Sequence, residues 1–288
     1  MAHERLQPTQ RPSSTDEEPR ERPVAIVTGG GSGIGRATAL RLADDGMTVV
    51  VTGRRLEPLQ ETAALSDHAI DARACDIRDE EQIDALIDDV LGRHGRIDVL
   101  VNNAGGQFLA PAETITPKGF RTVVRLNLEG TWLMTHAVAT RAFIPGGRGG
   151  RVVSVTMTPH TGLAGMAHSV AARAGVEGLM KVLAIEWARF GINLVSVAPG
   201  VVETETFLTK YPEEFRDHYR DTVLAGRLVQ PSDVAATIAF LVSDGGRAIT
   251  GSTINVDHGH DVSQTRFPPE SMASATGSVV SEARRPIG

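Results

Sequence analysis

Cysteine is nearly missing from this 288-residue chain, tyrosine is scarce, and there is neither a basic excess nor a long apolar run. The single Cys75 excludes a disulfide framework and any cysteine-rich metal site, and it is compatible with the cytoplasm. Against 35 acidic side chains stand 29 basic ones, a net charge of −6. That balance lacks the clustered positive charge a nucleic-acid partner needs. No run approaches the roughly 18 apolar residues of a membrane span, so no membrane partner is expected. Only two tyrosines occur, Tyr211 and Tyr219, both late in the chain.

What is present suffices for a large core, with 41% hydrophobic residues in a length that suits one α/β domain. Residues 1–22 are polar and punctuated by proline and read as a disordered leader; residues 261–288 read as a loosely docked tail. Between them, short apolar runs alternate with helical periodicity. Val24–Val27, Met47–Thr52, Val99–Val101, Val152–Val155, Ile192–Val197 and Thr253–Val256 read as strands, and a further strand ends before Asp76. Ile83, Leu86, Ile87, Val90 and Leu91 form one helical stripe; Val176, Leu179, Met180, Leu183, Ala184 and Trp187 form another. Strands apolar throughout and separated by helices predict a doubly wound parallel sheet over residues 23–260.

The first strand runs into Thr28-Gly-Gly-Gly-Ser-Gly-Ile-Gly35 and then a helix. Such a loop brings a pyrophosphate to the amides of a helix N-terminus. Asn102-Asn-Ala-Gly105 closes the fourth strand, and Pro199-Gly200, followed by Thr204, closes the sixth. These loops share one sheet edge and read as a single dinucleotide groove. In order and spacing the segments resemble the short-chain dehydrogenase/reductase family, which has a Rossmann-type fold. The resemblance implies a phosphate loop at Gly29, Ser32, Gly33, Ile34 and Gly35, and an adenine contact at Asp76 beside Ile77. It also implies a ribose-side turn at Asn103, Ala104 and Gly105, and a nicotinamide-side turn at Pro199, Gly200, Val202 and Thr204. The second strand ends Thr52-Gly-Arg-Arg55 without a carboxylate. Two guanidiniums, Arg54 and Arg55, suit a 2′-phosphate, so NADP(H) is the expected cofactor.

The family's tyrosine and lysine, four residues apart on one helix, do not occur. Aligned on Ala174-Gly-Val176, their positions hold Ser169 and Arg173. The family serine falls on Thr156 or, by a shifted register, on Thr158; Asn127 matches the helix asparagine that organises a water, and His168 adjoins Ser169. A serine alcohol cannot replace a phenol as an acid, and an arginine does not shuttle protons. Reduction of an activated double bond needs only donors to a developing enolate oxygen. The segments 102–109, 111–113 and 168–176 also resemble the trans-2-enoyl-CoA reductases. An NADP(H)-dependent reductase of an acyl-thioester or other small substrate is therefore expected, with the family's homotetramer or a homodimer as its assembly. A lyase or isomerase and a nucleotide-binding pseudoenzyme are the alternatives. The amphipathic segment 201–228, with both tyrosines, reads as a substrate lid. His160 reads as a loop residue. Asp257-His-Gly-His260 only weakly suggests a metal, and none is expected.

Overall fold

The computed structural model describes residues 22–158, 160–210 and 213–263. The leader and tail therefore lie outside the described residues, apart from Arg22 and residues 261–263, and so does Tyr211. Seven parallel strands form one sheet in the order β3-β2-β1-β4-β5-β6-β7. They are β1 (Val24–Thr28), β2 (Thr48–Gly53), β3 (Ile70–Ala74), β4 (Val99–Asn102), β5 (Gly150–Val155), β6 (Ile192–Pro199) and β7 (Thr253–Val256). The order reverses between β1 and β4, so their carboxyl ends open a crevice.

The helices α1 (Gly33–Asp44), α2 (Leu56–Ala64) and α3 (Glu80–His94) alternate with the first four strands. A continuous helical stretch follows: α4 (Pro117–Val124), α5 (Gly130–Val138) and α6 (Ile144–Gly146), joined by π turns at Arg125–Glu129 and Ala139–Phe143. The remaining helices are α7 (Ala167–Trp187), α8 (Glu205–Lys210), α9 (Glu213–Thr222) and α10 (Pro231–Val242). Apolar clusters cover both sheet faces: Leu100, Met134, Met180 and Leu194 on one, Val27, Leu42, Val51 and Ile238 on the other. The central strands are buried on both sides, which is why they read as mainly apolar runs. Edge strand β3 has a half-open face and alternates Ile-Asp-Ala-Arg-Ala, so it carries no such run. Among the described residues, no helix is long and apolar enough to cross a membrane.

Cys75 follows β3 and is 1% exposed. Burial, reinforced by the neighbouring Asp76 charge, pushes its thiol up to about 11. A thiol reagent should therefore label the native protein far more slowly than the unfolded chain, which offers one thiol. Equal rates, followed by absorbance, would show that the β3 edge opens in solution.

Candidate active site

Two adjoining cavities of about 310 and 280 Å³ lie over the carboxyl ends of the strands. The first is walled by the glycine-rich turn, Ser32, Arg54, Arg55, Asp76, Ile77, Ala104 and Gly105. The second is walled by Ile34, Asn103, Thr156, Thr158, Arg173 and the turn from Pro199 to Thr204. The sequence-derived groove residues thus divide between the two cavities. Gly33 and Gly35 contribute backbone between them. A Cβ on Gly35 would lie 2.2 Å from Gly29 O, so the turn closes only with glycine there. Ser32 caps α1 without a side-chain hydrogen bond, leaving the first-turn amides to an anion.

The loops are stitched to one another. Thr28 Oγ1 accepts from the backbone N–H of Asn103 and Ala104, both at 3.0 Å. Asn103 Nδ2 donates to Thr28 O at 3.0 Å and Gly29 O at 3.2 Å, so its side chain fixes the turn that its position only marks in sequence. Asp76 is bridged by Arg78 Nε at 2.9 Å, which holds its carboxyl below the usual range. Arg54 and Arg55 are exposed, and neither is paired with a carboxylate among the described residues.

The helix residues occupy different depths. Arg173 is buried and donates to Val155 O. Among the described residues no carboxylate accompanies it, and burial lowers its pKa to about 10, so it stays a cation at neutral pH. A Cβ on Gly105 would meet Arg173 Nη2 at 2.2 Å and Asn127 Oδ1 at 2.6 Å, so any larger residue must displace one of these side chains. An unpaired cation beside a glycine-lined cradle suits the polar body of a nicotinamide dinucleotide. Asn127 lies in the first π turn, not in regular α-helix, and a π turn often marks a functional position. Its amide clamps Gly106, accepting from N at 3.1 Å and donating to O at 2.8 Å. It therefore holds the 102–109 loop.

Thr156 and Thr158 both line the second cavity. Thr156 donates to Glu177 Oε1 at 2.9 Å, whereas the buried Thr158 Oγ1 has no partner. Ser169 is fully buried behind Gln107 and donates to its Oε1 at 3.0 Å. Gln107 lines the cavity, and its amide N–H groups have no partner among the described residues. His168 is fully buried; Nδ1 accepts from Ser169 N at 2.7 Å, and its ring meets Phe108 edge-on. It is not on the cavity wall. Gln107 and Glu177 were not singled out in sequence. Glu177 follows Ser169 and Arg173 at a further four-residue step, the same helix face, and that spacing was the available signal.

Residues 201–228 carry α8 and α9, and Phe207 and Tyr219 stand on the second cavity's wall. The Asp257–His260 turn is held by Asp257, which accepts from Gly259 N and Asp261 N. Among the described residues no group of three His, Cys, Asp or Glu side chains could hold a metal.

The enoyl-(acyl carrier protein) reductase family model matches residues 29–261. A probable 2,4-dienoyl-CoA reductase of Bacillus subtilis is 37% identical over 246 residues, 83% of this chain and 96% of that protein. A peroxisomal 2,4-dienoyl-CoA reductase of Arabidopsis thaliana is 32% identical, across 92% of this chain and 94% of its own. The crystal structure of an actinorhodin polyketide ketoreductase with NADPH superposes with a TM-score of 0.79 at 34% identity, across 84% of this chain and 98% of that one.

Proposed function

Because this chain belongs to the short-chain dehydrogenase/reductase family of oxidoreductases, we propose that it uses NADPH to reduce an activated C=C bond in an unsaturated acyl thioester. One observation carries the reading. Helix α7 offers Ser169 and Arg173 in place of a phenol and an amine, while two residues of the cavity wall carry donors without partners, the exposed Gln107 amide and the buried Thr158 Oγ1. That set stabilises an oxyanion and is poorly suited to protonating an alkoxide. The relatives named as dienoyl-CoA reductases support a thioester and add a conjugated 2,4-diene to the substrates to be tried.

Arg54 and Arg55 would hold the 2′-phosphate, the α1 amides the pyrophosphate, and Arg173 the ribose side. Bound in this groove, NADPH supplies the hydride. Thr158 and Gln107 donate to the thioester oxygen as negative charge develops there. Ser169 and Asn127 act one step back, Ser169 by fixing the Gln107 amide and Asn127 by fixing Gly106. The 201–228 segment closes the substrate side and excludes water. A cytoplasmic homotetramer or homodimer completes the reading.

Fluorescence of NADPH should fall with trans-2-enoyl-CoA or 2,4-dienoyl-CoA, and Thr158→Val should lower kcat about tenfold or more. Absence of turnover with every unsaturated thioester, while NADPH binds, would defeat the proposal. A second reading follows from Tyr219, whose phenol also belongs to a residue on the cavity wall. Carbonyl reduction with Tyr219 as acid would turn over ketones and leave unsaturated thioesters untouched.

A further inference from the structure

One hydrogen-bonded chain runs from the cavity wall toward solvent. Thr156 lines the cavity and donates to Glu177 Oε1 at 2.9 Å. That same oxygen lies 3.1 Å from His160 Nε2, and His160 Nδ1 lies 2.9 Å from Asp261 Oδ2. Asp261 also accepts from His160 N at 2.5 Å and from Asn255 Nδ2 at 3.1 Å. Side-chain exposure rises from 12% at Glu177 to 37% at His160, so the inner member is dry and the outer one meets water. The imidazole thus lies between two carboxylates, one from α7 and one from the turn after β7. It is far from the plain loop residue that sequence suggested. Nearby, Asp257 spends its oxygens on backbone amides, and burial keeps His260 toward its neutral form.

We propose that Thr156, Glu177 and His160 form a proton relay that supplies the α-carbon of the reduced thioester from solvent. The proposal rests on the reductase reading above, which leaves the proton source unassigned. When hydride reaches the β-carbon, the C=C π pair becomes an enolate. The α-carbon then forms a C–H bond with the Thr156 hydroxyl proton. In the same movement the Glu177 carboxylate takes a proton from the His160 imidazolium and hands it to Thr156, so that no free alkoxide forms, and His160 takes one from water. Each member loses one proton and regains one, so the net uptake is one solvent proton per turnover.

Burial disfavours the His160 imidazolium, but the hydrogen bonds to Asp261 and Glu177 outweigh it and hold the group above its ordinary value. Asp261 is held below its ordinary value by His160, although burial acts the other way. The relay is therefore loaded at pH below the His160 pKa and empties as pH rises through it. Turnover should show a basic limb.

The test is the kcat–pH profile, with its solvent deuterium isotope effect, for the full chain with NADPH and a trans-2-enoyl-CoA. Glu177→Gln and His160→Gln should each lower kcat about tenfold or more, with the KM for NADPH within about twofold, and flatten the basic limb. Glu177→Asp should restore part of the limb. If Glu177→Gln fails to fold, the more exposed His160→Gln carries the same test. Variants that match the wild type in kcat, limb and isotope effect would overturn the relay alone. A wild type inactive on every unsaturated thioester would overturn the reductase reading, and the relay with it.

Discussion

Replacing Gly105 by alanine is expected to weaken NADPH binding about ten- to a hundredfold in a fluorescence titration, the loss of one or two charge-assisted hydrogen bonds. The new methyl would stand 2.2 Å from one terminal nitrogen of Arg173 and 2.6 Å from Asn127 Oδ1. The backbone is poorly placed to yield, because its neighbours are held on both sides. Ala104 N donates to Thr28 Oγ1, while Asn127 holds both N and O of Gly106. Arg173 must move instead. It is buried, its Nη1 donates to Val155 O, and it has no carboxylate among the described residues to follow. The guanidinium would turn out of the groove and carry its contacts away from the ribose side. Circular dichroism and thermal melting should still report a folded sheet, since the crevice lies above the strand ends and outside the core. Unchanged NADPH affinity would mean that Arg173 does not face the cofactor.

The second large effect concerns cofactor choice. Changing Arg54 and Arg55 together to alanine should cost NADPH affinity about ten- to a hundredfold and leave NADH affinity within about twofold. Both side chains line the first cavity, exposed and without a salt bridge among the described residues. Exposure means that salt screens them, so the difference between the cofactors should shrink as ionic strength rises. Arg78 is a poor substitute, because Asp76 already occupies it through two bonds. A double variant that loses both cofactors equally would place the arginines on the shared pyrophosphate and remove the case for NADPH.

Much of this protein is determined locally. β1, β2, β4, β5 and β6 are covered on both faces, so each is mainly apolar, and their runs announce a parallel sheet. The glycine-rich turn is equally local, because the approach of Gly35 to Gly29 O admits no Cβ. The missing phenol is a matter of counting: two tyrosines, both after Pro199-Gly200, leave none for the catalytic helix. β3 escaped such reading because an edge strand with one half-open face keeps no apolar run.

Other features depend on residues far apart in the chain. Sequence spacing put the family serine on Thr156 or, by a shifted register, on Thr158; only packing against α7 joins Thr156 to Glu177 and leaves the buried Thr158 hydroxyl unpartnered. Ser169 marks the position of the lost phenol, but the 102–109 loop places Gln107 between it and the cavity. His160 and Asp261 are 101 residues apart, so nothing in either local sequence announces their pairing. Apolar periodicity is a one-dimensional signal because burial repeats along each element. The partner of a polar side chain is set by which elements the fold brings together, and that is where tertiary structure decided the chemistry.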